Sequence, residues 1–446
     1  MPIPLSFNAV HALLLAALLG GGAAAAQTPA DGGVAQLLEQ RVRQVAPKVV
    51  AWRRDIHQHP ELSGQEVRTA GLVAGHLRAL GMAVSTGVGG NGVVGVLSGD
   101  LPGKVVALRA DMDALPVQEA TGLPFASTVT AKNMGRDSPV MHACGHDAHT
   151  AILMGVAEAL AGMKSQIHGT VKFIFQPAEE GYSAPPGEAA WGAKAMVAAG
   201  AMDHPRVDAI FALHMAAALP AGTIGWRSGP TLAGADTVHI TVIGKQSHGA
   251  APWLGIDPIV TAAQMVGALQ TVVSRSLDIT REPVVFSIGA INGGTRHNIV
   301  PDKVEMTGTL RTYDEAMRAR AVQRIVAIVQ GTAAANNAQG RVDFEPTYSV
   351  TDNPAPLTAA MLPTLRYAAG GQVAAIPRVS GSEDFSEYQK VAPGLFFMLG
   401  GKPANATVGP NHSPTFDLDE TALPVGVRSL ALLALDYLAD RRRGAR

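Results

Sequence analysis

Apolar positions along the first third of the chain recur with a helical period. Leu37, Leu38, Val42, Val45, Val49, Val50 and Ile56 are spaced to fall on one face from Val34 onward. The pattern reads as helical to about Thr86, and within it a second amphipathic stretch runs from Glu66 to Leu80, stopped by Gly81. The period then shortens. Val93-Val94-Gly95-Val96-Leu97 and Val105-Val106-Ala107-Leu108 read as strands, with a turn signal between Gly99 and Gly103. A helix over Ala148–Met163, a strand over Val171–Phe175, a helix near Ala193–Ala199 and a strand over Ala209–Leu213 follow. Apolar strands alternating with helices predict an α/β fold, a large and mostly parallel sheet covered by helices on both faces.

From Thr231 the texture changes. Thr237–Ile243 alternates as a strand with one wet face, and a helix at Pro258–Val273, strands at Val284–Ile288 and Val304–Arg311, and a helix at Asp314–Gln330 complete a β-α-β-β-α-β-like block ending near Tyr348. This block predicts an inserted α+β satellite or lid domain over 231–348, dividing a catalytic domain into 34–230 and 349–446. The α/β pattern resumes at Leu357 and closes with a strand at Leu395–Leu399 and a helix at Pro424–Ala439. No repeat is present.

Composition narrows the partners. Lys plus Arg number 35 and Asp plus Glu 36, a net charge of −1, so there is no basic field for nucleic acid or anionic lipid. At the start of the chain, residues 9–26 form a short apolar run ending in Ala24-Ala25-Ala26 before Gln27, the pattern of a cleaved secretory signal over 1–26. Three glycines interrupt the run and argue against a membrane span, although no Lys or Arg precedes it. The expectation is an exported, periplasmic or secreted protein that holds no membrane once the signal is removed. One cysteine, Cys144, stands against fourteen histidines. It forms no internal disulfide framework and is a buried small residue, a free thiol, a ligand or a nucleophile.

Chemistry-bearing residues gather at the carboxyl ends of the expected strands. Asp111-Met112-Asp113 ends one, Gln176-Pro177-Ala178-Glu179-Glu180 another and His214 a third. His142-Ala143-Cys144-Gly145-His146-Asp147-Ala148-His149 opens a helix, and Asn411-His412-Ser413-Pro414 follows the last strand. In open α/β sheets the ligand crevice lies outside those ends, so the groups converge on one rim. Thiolate, imidazole and carboxylate together suit one or two borderline divalent cations, and a bridging thiolate explains an unpaired Cys in an exported protein. Taken singly, His142 and His149 read as surface or helix-cap residues. A cysteine nucleophile paired with His146 is a rival, poorly served by i, i+2 spacing. A binding protein that kept the scaffold without catalysis is another. Gly89-Gly90-Asn91-Gly92 is a turn, not a nucleotide loop.

Four motifs in order, Arg109–Pro116, His142–Asp147, Gln176–Gly181 and His412–Phe416, resemble the metal-dependent amidohydrolases that include hippurate hydrolase, indole-acetyl-amino-acid hydrolases and carboxypeptidase or aminoacylase relatives. The resemblance runs from about Arg54 to about Tyr437. It implies two divalent cations per subunit, zinc before manganese, cobalt or nickel, bridged by Cys144. Glu180 and His412 would complete one site and His146 and His214 the other, with Asp111 and Asp113 orienting a ligand imidazole. Glu179 would be the general base toward a metal-activated water that attacks an amide carbonyl. In the satellite, His248 would stabilise the oxyanion, usually in a partner subunit, while Asn298 and Arg311 would bind the substrate's carbonyl and free carboxylate. A homo-oligomer paired through the satellite is implied as well. Gly381-Ser382-Glu383-Asp384-Phe385 matches a further motif near the cleft. The expected substrates are small amides with a free carboxylate: N-acyl amino acids or C-terminal peptide-like amides, aromatic ones and ochratoxin-like compounds among them, with dipeptides or acetylated cell-wall intermediates as alternatives. This chain departs from the pattern after Gly181, where residues 181–191 are longer than usual and carry Tyr182 and Trp191, expected to wall the pocket.

Overall fold

The computed structural model describes residues 32–181, 190–405 and 407–439. The proposed leader over 1–26 and Tyr182 lie outside them. The first helix, Gly32–Gln58, buries Leu38, Val42, Val45, Val49 and Ile56, the stripe that the spacing predicts. A helix at Val67–Ala79 follows, and Gly81 then takes a left-handed φ of 76° to end it. The helical pattern does not reach Thr86. Ala83–Val88 is instead an edge strand, exposed over most of its length, and its short polar run carries little of the alternation that would mark a strand.

Eight strands form the large sheet, in the order Ala83–Val88, Gly92–Ser98, His168–Gln176, Leu101–Asp111, Ala209–Pro220, Gly394–Lys402, Ile224–Trp226 and Val373–Ala375. The sheet is mixed. Parallel pairing holds the centre, from His168–Gln176 across to Gly394–Lys402, and recurs between the last two strands. The first three strands pair antiparallel, as do Gly394–Lys402 and Ile224–Trp226. Gly92–Ser98 and Leu101–Asp111 follow one another directly yet do not pair, because His168–Gln176, returning after the helix His146–Ala161, inserts between them. That crossover gives a βαβ unit and brings Asp111 and Gln176 side by side at one end of the sheet.

One face of the sheet packs on the helices Gly32–Gln58, His146–Ala161 and Leu423–Ala439, in a core that includes Val49, Leu153, Phe173, Phe211 and Leu430. The other face buries Ile174, Met196, Ile210, Phe385 and Phe396. Residues 420–439 are long and apolar enough to cross a membrane by length and composition, but two thirds of that window (67%) is buried inside the protein. A second, four-stranded antiparallel sheet, ordered Val285–Gly293, Lys303–Thr312, Gly234–Ile243 and Gln339–Tyr348, has its own core of Val238, Ile240, Met265, Leu310 and Ile325.

Within the closing helix, Asp436 accepts a hydrogen bond from the Thr364 hydroxyl at 2.6 Å, and burial pushes its carboxyl up to about 6. The unfolded chain releases this proton first, so the stability that the protonated group retains at low pH is lost as pH rises from about 4 to about 6. Asp436→Asn keeps an acceptor for Thr364 without the charge. It is expected to be more stable than the parent by about 1–2 kcal/mol at pH 7.5, after discounting for residual solvent exposure. The advantage should shrink toward zero at pH 4, read by urea unfolding at both values.

Candidate active site

The ends of the central strands and the start of the helix His146–Ala161 meet on one rim. Gly145 precedes this helix with φ of 95°, and a Cβ there would lie 2.9 Å from the Met215 side chain, so only glycine brings Cys144 and His146 this close to the Ala209–Pro220 strand. Arg53 and His57 fix the same turn from the first helix: Arg53 Nε donates to Asp147 Oδ2 at 2.9 Å, and His57 Nδ1 lies 2.8 Å from the same oxygen. Burial works against ionised Asp147, but Arg53 and His57 outweigh it and hold the carboxyl far below the usual range.

His146 and His214 each have one nitrogen held and the other turned inward. His146 Nδ1 lies 3.2 Å from Asp113 Oδ1, and its Nε2 is buried with no hydrogen-bond partner among the described residues. His214 Nδ1 donates to the Met215 carbonyl at 2.8 Å, leaving Nε2 3.4 Å from Cys144 Sγ. His412, at a left-handed φ of 67°, places Nε2 3.1 Å from both Cys144 Sγ and Glu180 Oε1. Hydrogen bonds to Cys144 and Glu180 raise the His412 imidazole to about 10, so the cluster draws positive charge. Cys144, His146 and His214 offer donor atoms within 4.8 Å of one another, as do Cys144, Glu180 and His412. Two donor sets therefore share one sulfur, and the inward Nε2 of His146 is the orphaned buried atom that a cation would satisfy. The residues fit a divalent metal centre.

Asp111, His146 and His149 also lie close together, but His149 is not available as a ligand. Its Nδ1 is 2.6 Å from Asp111 Oδ1, and its Nε2 accepts the Met215 N–H at 2.7 Å. His142 and His149 are both buried rather than surface residues. Burial lowers His142 to about 3 and keeps it neutral. Asp113 orients His146, whereas the short contacts of Asp111 go to His149 and Arg109, with His146 Nε2 at 3.8 Å.

Behind the rim Arg109 is wholly buried. It donates to Gln176, Asp111, Glu383 and Asp384 at 2.8, 2.7, 2.9 and 3.1 Å, which is the place of the Gly381–Phe385 motif. Buried charge of this kind persists only when paired on several sides. Glu179, 5% exposed, stands beside the network. Burial first, then the carboxylates of Glu383, Glu180 and Asp384, push its pKa well above the carboxylate range. Divalent charge at the adjoining donors acts in the opposite sense.

A cavity of about 810 Å³ opens over these groups. Cys144, Glu179, Glu180, His214 and His412 line its floor, Arg311 and Ser382 its polar side, and Leu219, Leu232, Ile376, Val379 and Met398 an apolar wall. Arg311 Nη1 donates to the Ser382 hydroxyl at 2.5 Å. His248 and Asn298 are not brought to this cavity. Both sit at a two-stranded ribbon in which His248 pairs with Ile299 and the Gly249 N–H donates to the Asn298 carbonyl at 2.8 Å, and His248 faces solvent. Trp191, expected in the pocket wall, is not among the lining residues. It packs edge-on against Tyr348, ring centroids 5.4 Å apart, and covers Gly181. Asn411 went unassigned in the sequence although it adjoins His412. Its amide donates to the Cys144 and Met215 carbonyls at 3.2 and 3.1 Å, tying the His412 loop to the floor.

Residues 107–436 match the model of peptidase family M20/M25/M40, and the chain belongs to that family. It is a hydrolase of amide C–N bonds. It is 40% identical over 407 residues to thermostable carboxypeptidase 2 of Saccharolobus solfataricus, covering 91% of this chain and 99% of that one. The N-acyl-L-amino acid amidohydrolase of Geobacillus stearothermophilus is 43% identical over 311 residues, 70% of this chain and 79% of the relative. Among solved structures, a dinuclear metal binding peptidase of the M20 family from Bacillus subtilis superposes with a TM-score of 0.74 at 36% identity, over 89% of this chain and 99% of the other.

Proposed function

We propose that this protein hydrolyses N-acyl amino acids, or small peptide-like amides with a free C-terminal carboxylate, and prefers a bulky apolar or aromatic group. The observation that carries the reading is a shared Cys144 between two donor sets, with Glu179 beside them and Arg311 across the same cavity. The names of the relatives, carboxypeptidase and N-acyl-L-amino acid amidohydrolase, support it. Cys144, His146 and His214 would hold one cation, and Cys144, Glu180 and His412 the other, zinc being the first choice for a thiolate and imidazole set. When bound, such cations supply Lewis acidity, lowering the pKa of a water and polarising an amide carbonyl.

The chain's own residues do the rest. Glu179 takes a proton from the attacking water and returns it to the departing amine, so amide and water become carboxylic acid and amine. Arg311 pairs with the substrate carboxylate through its planar guanidinium, and the apolar wall from Leu219 to Met398 excludes water around the other end. His248 and Asn298 fit this scheme only if a second copy of the chain brings them over the cavity. Exposed Trp253 and Leu254 on the short helix Pro252–Leu254, and Ile259 and Val260 on the helix Pro258–Leu269, close in sequence to His248, support pairing of two copies through the satellite. The alanine-rich run at 9–26 supports export to an oxidising compartment.

The test is a panel of N-acyl amino acids and dipeptides with purified protein. Activity abolished by a chelator, restored by zinc or manganese, and indifferent to thiol alkylation of the metal-loaded protein is expected. Alkylation that abolishes turnover would favour a Cys144 nucleophile, which the 3.1 Å contact with His412 makes the alternative to exclude. Arg311→Met is expected to raise KM by about 10–100-fold for free carboxylates, the worth of a charged hydrogen-bond pair. The same change should leave the corresponding carboxamides nearly unaffected.

A further inference from the structure

The peptide joining Glu179 to Glu180 is held at both of its polar ends. Its carbonyl accepts a hydrogen bond from the Tyr348 hydroxyl at 3.1 Å, and its N–H donates to Asp113 Oδ2 at 3.0 Å. The chain enters this peptide through Ala178, at a left-handed φ of 55°, whose N–H donates to Glu66 Oε1 at 2.9 Å. It leaves through Gly181, at φ 74°, where a Cβ would lie 3.4 Å from the Trp191 ring. A peptide is planar, so fixing its carbonyl and its N–H fixes the plane and with it the two Cα atoms from which the adjacent carboxylates depart.

The two clamps come from different sheets. Asp113 follows the Leu101–Asp111 strand of the large sheet, whereas Tyr348 is the last residue of the Gln339–Tyr348 strand in the four-stranded sheet. The Tyr348 ring also lines the cavity and is backed by Trp191 at 5.4 Å and 69°. We infer that Tyr348 is a positioning residue, by which the four-stranded sheet holds one end of the Glu179–Glu180 peptide and keeps the two carboxylates aimed apart, and that Trp191 serves it by bracing the ring. The inference rests on Glu179 acting as base and Glu180 as ligand. It gives Trp191 a use other than contact with substrate.

Tyr348→Phe removes only the hydroxyl. It is expected to lower kcat about tenfold, the worth of one well-made hydrogen bond, with KM within twofold and cations per chain unchanged. Trp191→Phe should retain parental kcat, and Trp191→Ala should lose about as much as Tyr348→Phe. The double variant should fall no further than the worse single one, since both act on one contact. Amide exchange supplies a readout without turnover: in metal-free protein the Glu180 N–H of Tyr348→Phe should exchange at least about fivefold faster, because the peptide has lost one of its two anchors. Parental kcat, a loss confined to KM, or unchanged exchange at Glu180 would overturn the inference. Absence of amidase activity in the parent protein would overturn the proposed function instead and leave the exchange result to decide on the clamp.

Discussion

Replacing Glu179 by glutamine is expected to lower kcat by at least about a hundredfold while the protein keeps its full complement of cations. Glutamine has nearly the same shape and can donate or accept a hydrogen bond, but it cannot take a proton from water and hand it on, and general base catalysis is worth about a hundred- to ten-thousandfold. In the proposed scheme Cys144, His146, Glu180, His214 and His412 hold the cations, so the substitution separates chemistry from binding; Glu179 also lies within reach of His146 and Glu180, and a loss of bound cation in the variant would make it a ligand instead. It also relieves a crowd of carboxylates. Burial, Glu383, Glu180 and Asp384 all oppose a charge on Glu179, so the glutamine variant should melt no lower than the parent and preferably higher. Turnover within tenfold of the parent would remove Glu179 from the mechanism.

Cys144→Ala should cost the second-largest effect, and on binding rather than chemistry. The sulfur lies 3.1 Å from His412 Nε2 and 3.4 Å from His214 Nε2, so its removal takes a donor from both sets at once. Loss of a single ligand from a closed thiolate and imidazole set should weaken cation affinity by more than the roughly 10–100-fold typical of supporting residues. Elemental analysis after dialysis against a weak chelator should find less than one cation per chain in the variant. Full occupancy in Cys144→Ala would show that the sulfur is not a ligand. Loss of turnover at full occupancy would point instead to a nucleophilic thiol.

Much of this site could be read from the chain because its parts are local. Cys144 and His146 share one turn, Glu179 and Glu180 end one strand, and the rule that ligands gather at strand ends places them together without knowledge of distances. What could not be read depends on pairing at long range. The insertion of His168–Gln176 between Gly92–Ser98 and Leu101–Asp111 follows from the packing of the helix between them. The partners of Arg109 lie in Glu383 and Asp384, far along the sequence and on another loop. His149 looked like a cap residue because a helix start is where such residues stand, and only the Met215 N–H and Asp111 on either side of its ring reveal its part. The place of Trp191 is hidden in the sequence for a related reason. An aromatic residue near a site can face the ligand or brace the wall, and here it braces Tyr348.

We propose that the cluster around Cys144 works as a cation-dependent hydrolase of N-acyl amino acids. The most direct test is to strip the protein with a chelator and titrate zinc back while following release of free amine from an aromatic N-acyl amino acid, with bound metal counted on the same samples. Activity absent in stripped protein, and rising with added zinc until two cations are bound per chain, is the expected result. Full turnover in protein shown to contain no metal would contradict the claim.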